Sequence, residues 1–338
     1  MCEVKIMETT SYKDARKHFS KIGLVLFLGT LIIYAIQTIA SEIVMNVPVI
    51  AENSNLSFLA GMLPMYIIAF PIIFLMFQKI PVQISGEKMK MKVSHLIVAF
   101  FIAYAGSYVC NLLGNMVTMI VGVLKQNPVD NVMLDVIGSI NPLVNFLVVV
   151  ICAPIMEELM FRKMIVDRTA SYGEGVSVIF SGLLFGLFHG NLVQFAYAFL
   201  LGAFFGYIYI KTKNIVYPII LHMLINFLGS FVSSLLIDAS GYMELMEIMA
   251  SDRAEAELLP FMMDHIVGLA LFVLYTMALM GFVLAGIILF FVNLKKFKFE
   301  TGEVPIEKGQ KFKTVILNLG VILFSAFWII QIIIQLLA

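Results

Sequence analysis

The chain has 338 residues, of which 61% are apolar and 13% charged, and its formal net charge is zero. A soluble domain carries roughly 25% charged residues, so an ordinary soluble protein is excluded, and the zero balance removes any global bias toward nucleic acid. Apolar runs of about 20 residues, the length a bilayer demands, recur along nearly the whole chain. The reading is an all-α polytopic membrane protein; a transmembrane β-barrel would show alternating segments of about ten residues instead.

The first apolar run begins near Ile22, behind a mostly polar stretch. "TIASE" at 38–42 faintly resembles a signal-cleavage site, but the segments before it are long for a signal peptide, so an uncleaved first span is expected. Nine spans follow from the hydropathy pattern: 22–40, 56–77, 94–124, 143–163, 175–190, 193–210, 215–237, 266–293 and 315–337. The third is long enough to tilt or to end in a surface helix around Gly114. The fifth and sixth are short and nearly continuous, which predicts a tight hairpin. Four regions result: helices one to three with their loops (1–142), a core of helices four to seven (143–237), an acidic loop (238–265) and two C-terminal helices (266–338).

Charge tests the count. With the N-terminus inside, segments 1–21, 78–93, 162–174, 211–214 and 294–314 face the cytoplasm and hold 20 of the 22 Lys and Arg residues. Only Lys125 and Arg253 remain for the outer side, as the positive-inside rule requires. The expectation is a cell-membrane protein with its N-terminus cytoplasmic and its C-terminus outside. The outer loop 238–265 carries seven Asp or Glu against one Arg and reads as a solvated loop or an amphipathic helix over the outer face. Cys2, Cys110 and Cys152 lack metal-like spacing and are read as small hydrophobes without a disulfide framework.

Within this apolar frame, "VICAPIMEELMFRKMIV" (150–166) holds two adjacent glutamates and an arginine. A charge at the centre of a membrane helix costs roughly 2.5–3.5 kcal/mol on insertion scales. Glu158 and Arg162 are i and i+4 with the acid N-terminal, the favourable order for a helical ion pair, and Arg162 is also able to snorkel to the interface. Glu157 points about 100° away from Glu158 and is left over. With the membrane boundary taken near Arg162, Glu157 sits about 8 Å below the inner surface.

Two of the five histidines lie inside apolar spans, His189 in "FSGLLFGLFHG" and His222 in "YPIILHMLINF"; His18, His95 and His265 are read as surface residues. Intramembrane ionisable groups normally face the bundle interior and are functional candidates. Asn226 shares a helix face with His222, and Phe185 is placed to pack on His189. Gly182 and Gly186, and again Gly202 and Gly206, form G-x-x-x-G spacings that let helices approach closely. Pro154 and Pro218 each remove a backbone donor near the polar residues. Packing alone accounts for these, and so does a wet pocket walled by spans four, five and seven. Counting from Gly175, His189 falls about 21 Å from the inner surface, deeper than Glu157, so a short hairpin whose tip stays within the membrane is expected.

A Glu, two His and an Asn are the parts for amide hydrolysis. Glu157 is the candidate general base, with His189 holding the water. His222 and Asn226 are candidate donors to the developing oxyanion. A zinc ion held by Glu157, His189 and His222 is the alternative. There is no H-E-x-x-H helix and no G-x-S-x-G elbow.

"EELMFR" (157–162), "FGLFH" (185–189) and "HMLIN" (222–226) resemble, in order and spacing, the E-E-x-x-x-R, F-x-x-x-H and H-x-x-x-N/D motifs of the CAAX-protease and bacteriocin-processing (CPBP, or Abi) intramembrane proteases. These are similar to the type II CAAX prenyl endopeptidases. The resemblance covers roughly 143–237. It implies that Glu157 and His189 activate water, that His222 and Asn226 serve the oxyanion, and that Glu158, Arg162 and Phe185 support them. It leaves open a metal-dependent or a metal-free glutamate mechanism, and here direct water activation is expected. The implied partners are the lipid bilayer and a membrane-associated peptide or lipidated protein. Eukaryotic relatives cut prenylated CAAX tails, whereas bacterial members are associated with peptide maturation, bacteriocin self-immunity and surface-protein processing. The alternatives are a non-catalytic immunity or partner-binding protein, and a proton-coupled transporter, although the inverted repeats of the latter are not visible.

Overall fold

The computed structural model describes residues 12–84, 86–129, 139–251 and 254–337; Cys2 and Arg253 lie outside the described residues. Nine long helices follow one another: α1 (Tyr12–Asn46), α2 (Ser54–Phe77), α3 (Val93–Lys125), α4 (Pro142–Tyr172), α5 (Glu174–Phe188), α6 (Leu192–Thr212), α7 (Val216–Ala239), α8 (Ile266–Lys296) and α9 (Leu319–Leu337). Eight are long and apolar enough to cross a membrane, and α5 is the shorter ninth. The described residues contain no strand. The protein is a multi-pass helical membrane protein, as the apolar runs predict.

The hairpin of α5 and α6 is the tightest contact. A Cβ at Gly182 would stand 2.7 Å from the Ala203 nitrogen, and one at Gly202 would stand 2.9 Å from the Gly182 Cα. Gly186 likewise faces the Phe195 carbonyl at 3.0 Å, whereas Gly206 meets its neighbour at an ordinary 3.6 Å. Three of the four spaced glycines therefore permit close approach, and the fourth is not needed for it. Gly190, with φ +67, supplies the left-handed residue that turns the chain back. Asn191 then caps α6, its side chain accepting from the Gln194 N–H at 2.8 Å.

α6 packs on α3, α3 on α8, α1 on α9, and α7 on α3, α4 and α6. Among the described residues, two of the resulting apolar clusters are the largest. One joins α1, α2, α4, α5 and α9 through Phe19, Phe70, Phe161, Phe185 and Phe324. The other joins α3, α6 and α7 through Ala103, Phe205 and Leu221. The polar residues of α4 and α7 lie on the seam between the two clusters.

Several expectations change. α3 runs unbroken through Gly114, which packs against Val193 of α6, so no separate surface helix starts there. α4 continues ten residues past Arg162 to Tyr172, so the helix does not end at Arg162, and the depth reckoned from that boundary falls with it. Arg168, counted with the inner loop, is 4% exposed and caps α2 by donating to the Phe77 and Ile80 carbonyls. His18 is no surface residue: its Nε2 meets the Arg168 carbonyl at 2.7 Å and its ring packs on Tyr172. His265 is stacked on Phe261, whereas His95 is exposed. Cys110 and Cys152 are half-buried free thiols. Within 238–265 the chain forms two short helices, Tyr242–Ala250 and Ala254–Asp264.

Four π-helical stretches interrupt the long helices: Met65–Ala69 in α2, Phe146–Cys152 and Leu159–Val166 in α4, and Phe227–Val232 in α7. The π-helix is rare and often marks functional sites. Here two of them bracket the six-residue α-segment Ala153–Glu158 that holds both glutamates, and a third begins directly after Asn226.

Candidate active site

Glu158 and Arg162 are both fully buried, with Arg162 Nε 2.9 Å from Glu158 Oε2. The ion pair read from the i, i+4 spacing is formed, and Arg162 points inward rather than snorkelling outward. Its guanidinium carbon lies 4.3 Å from the centre of the Phe185 ring and 5.9 Å from that of Phe205. Among the described residues none of its three nitrogens makes a hydrogen bond, so Nε meets Glu158 Oε2 as an ion pair only, and the faces of these rings supply much of the remaining surroundings.

The second partner of Glu158 comes from α7. His222 Nδ1 lies 3.0 Å from Glu158 Oε1, while its Nε2 lies 3.7 Å from Glu157 Oε2. One imidazole therefore stands between the two carboxylates. The first contact is a hydrogen bond. The second is too long for one but is a span that one water can bridge. Glu158 is tied on both oxygens, whereas Glu157 keeps a side chain 20% exposed. The adjacent acids are thus unequal: Glu158 is fully buried and Glu157 is partly open.

His189 stands at the C-terminal end of α5. Its Nδ1 is 2.9 Å from the Phe185 carbonyl. A carbonyl only accepts, so Nδ1 carries the hydrogen, and Nε2 of the neutral ring is left as an acceptor. The Asn191 amide donates to the His189 carbonyl at 3.2 Å, fixing the tip of the hairpin. Phe185 is the hub of this arrangement: His189 meets its ring edge-on at 4.8 Å and His222 at 5.9 Å, with Arg162 over its face. The helical spacing predicted the contact with His189 but not the other two. At 15 residues, α5 is about 22 Å long, shorter than a hydrocarbon core of about 30 Å.

Asn226 is placed by a backbone defect. In the π-register of α4 the Ala153 N–H bonds back to the Val148 carbonyl. The next residue, Pro154, has no N–H. The Val149 carbonyl is thereby left over, and Asn226 Nδ2 donates to it at 2.9 Å. Asn226 was expected beside an oxyanion together with His222; one of its amide hydrogens is committed to α4, and His222 is committed to Glu158. Further along the same seam the buried Asn145 accepts from Ser230 at 2.6 Å.

Sequence reasoning passed over two tyrosines. Tyr66, in the π-stretch of α2, and Tyr197, on α6, are both within electrostatic reach of Glu157. Nothing in a single tyrosine on an apolar span separates it from packing. For zinc, the alternative raised from Glu157, His189 and His222, no group of three His, Cys, Asp or Glu side chains among the described residues is disposed to hold a metal ion.

A carboxylate, two imidazoles and a carboxamide on α4, α5 and α7 make up the polar centre of this multi-pass membrane protein. Residues 139–228 match the family model described as Type II CAAX prenyl endopeptidase Rce1-like. All three motifs lie inside it. A curated relative from Bacillus subtilis (strain 168), named "Putative membrane peptidase YdiL", is 30% identical over 148 residues. That match takes in 42% of this chain and 57% of the relative, so the chain spans little more than half of that protein's length. No solved structure matches the chain significantly.

Proposed function

We propose that the protein is an intramembrane endopeptidase that hydrolyses a peptide bond of a membrane-associated substrate, with Glu157 as the base that activates water. The observation that carries this reading is the His222 ring set between a fully tied Glu158 and a partly open Glu157. Water attacks the carbonyl carbon and its proton goes to Glu157. His189 Nε2 accepts the second water hydrogen and orients the attack. The amide hydrogen that Asn226 does not give to Val149 faces the growing negative charge on the carbonyl oxygen. As the tetrahedral species collapses, the C–N bond breaks and the proton held by Glu157 passes, directly or through His222 Nε2, to the leaving amine. Glu158 balances the charge on His222 during this transfer. Arg162 and Phe185 hold Glu158 and the two imidazoles in place, and the flanking helices α1–α3, α8 and α9 act as scaffold. The N-terminus and the basic loops face the cytoplasm on this reading.

Glu157→Gln tests it, because the amide is isosteric and leaves the fold intact. Membrane peptides from cells making the wild type are compared with those from cells making Glu157→Gln. Cleavage products present only with the wild type are expected, together with equal amounts of both proteins in the membrane. Identical peptide profiles would overturn the reading and favour a binding role. Activity of the purified protein is expected to survive a strong zinc chelator; loss on chelation with recovery on added zinc would overturn the direct mechanism.

A further inference from the structure

A groove at one end of the bundle lies between α1 and the residues that begin α9. Its wall on α1 is formed by Lys13, Lys17 and Lys21, three exposed lysines at i, i+4 and i+8. Like charges at this spacing oppose helix formation by a few tenths of a kcal/mol per pair, roughly. Among the described residues none of the three is in an ion pair. Asp14 is the sole acid in this part of α1, and it does not line the groove.

Arg16 fixes the opposite wall. Its Nη2 and Nε donate to the Leu317 carbonyl at 2.7 and 3.1 Å, joining the start of α1 to the residues before α9. The helices are also locked together beside the groove. A Cβ at Gly23 would stand 2.3 Å from the Val321 nitrogen, and the Gly320 N–H donates to Ser20 Oγ at 3.1 Å. One turn beyond Lys21 the lining becomes apolar, with Leu24 38% and Leu319 66% exposed. The groove is thus cationic at its mouth and apolar toward the middle of the bundle. The three lysines cover about 12 Å along the axis and end where the first apolar run begins.

We infer that this groove is a binding site for one anionic glycerophospholipid, its phosphate among Lys13, Lys17 and Lys21 and an acyl chain along Leu24 and Leu319. The charge complementarity and the order of cationic then apolar lining along the helix axis select this ligand over a soluble anion, which has no use for the leucines. They also select it over a zwitterionic lipid, whose choline would meet the lysines. Basic pockets between membrane helices bind acidic headgroups in this manner.

Native mass spectrometry of the full chain in mild detergent tests the site, with phosphatidylglycerol and phosphatidylcholine of the same acyl chains as probes. The wild type is expected to retain phosphatidylglycerol selectively. The triple variant Lys13→Gln/Lys17→Gln/Lys21→Gln is expected to bind it about 100-fold more weakly, from about 1 kcal/mol for each lysine. The control Lys295→Gln/Lys296→Gln/Lys298→Gln removes equal charge from the α8–α9 connection and is expected to bind as the wild type does. Leu319→Ser is expected to weaken binding a few-fold. Equal loss in both triple variants would reduce the site to diffuse attraction and overturn the inference, as would equal retention of phosphatidylcholine. Displacement by glycerol 3-phosphate at the same concentration would also overturn it, since the acyl chain would then contribute nothing. If the triple variant folds poorly, Lys17→Gln alone is expected to lose about fivefold, against no change for Lys296→Gln.

Discussion

α6 and α8 both cross the bundle, yet they are built for different solvents. α6 is the less apolar of the two and much of it is buried, whereas α8 is more apolar and mostly exposed. The less hydrophobic helix is the more enclosed one. α8 shows Leu274, Met277, Leu284 and Phe291 outward, because lipid tails are as apolar as leucine and accept any such side chain. α6 carries Gly202, Tyr197, Gln194 and Tyr209, residues chosen for close approach and for polar partners.

The sharpest way to break the comparison is at the enclosed end. Glu157→Gln is expected to lower hydrolysis by about 100- to 10,000-fold, the range for removal of a general base, while thermal stability stays near that of the wild type; a fall in stability that matches the fall in activity would show that Glu157 is merely structural. Next in size is Glu158→Ala, which strands the fully buried Arg162 and is expected to cost about 3–5 kcal/mol of stability. The double variant Glu158→Leu/Arg162→Met removes both charges and is expected to recover most of that loss in thermal denaturation, without recovering activity. Phe185→Ala and Phe291→Ala then compare one ring in each environment. The first, 1% exposed, is expected to lose about 3–5 kcal/mol. The second, 67% exposed, is expected to change stability by less than about 0.5 kcal/mol. The smallest expected effect inside the core is that of Asn226→Leu, about 1 kcal/mol from one lost interhelical hydrogen bond, accompanied by a larger loss of rate.

Much of this was legible in the sequence because it is local. Nine helices follow from run length and charge alternation, and the Glu158–Arg162 pair and the Phe185–His189 contact follow from four-residue spacing on one helix. The spaced glycines named the hairpin's packing face, with only Gly206 superfluous. What was not legible is long-range or lies in the backbone. His222 sits 64 residues from Glu158, and no local rule distinguishes a histidine that joins two carboxylates from one that merely packs. The π-stretches leave no composition signal; Pro154 hinted at a freed carbonyl but not at which side chain would serve it. Arg162 was open to snorkelling only while α4 was taken to end there, and the ten further residues of helix close that route.

The bond from Asn226 to the Val149 carbonyl also limits how the bundle can admit a peptide. Sliding α7 along α4 would break this bond, at a cost of about 1 kcal/mol for one interhelical hydrogen bond. On the proposed endopeptidase reading, α4 and α7 therefore resist sliding past one another, and a peptide is expected to enter along another wall of the site.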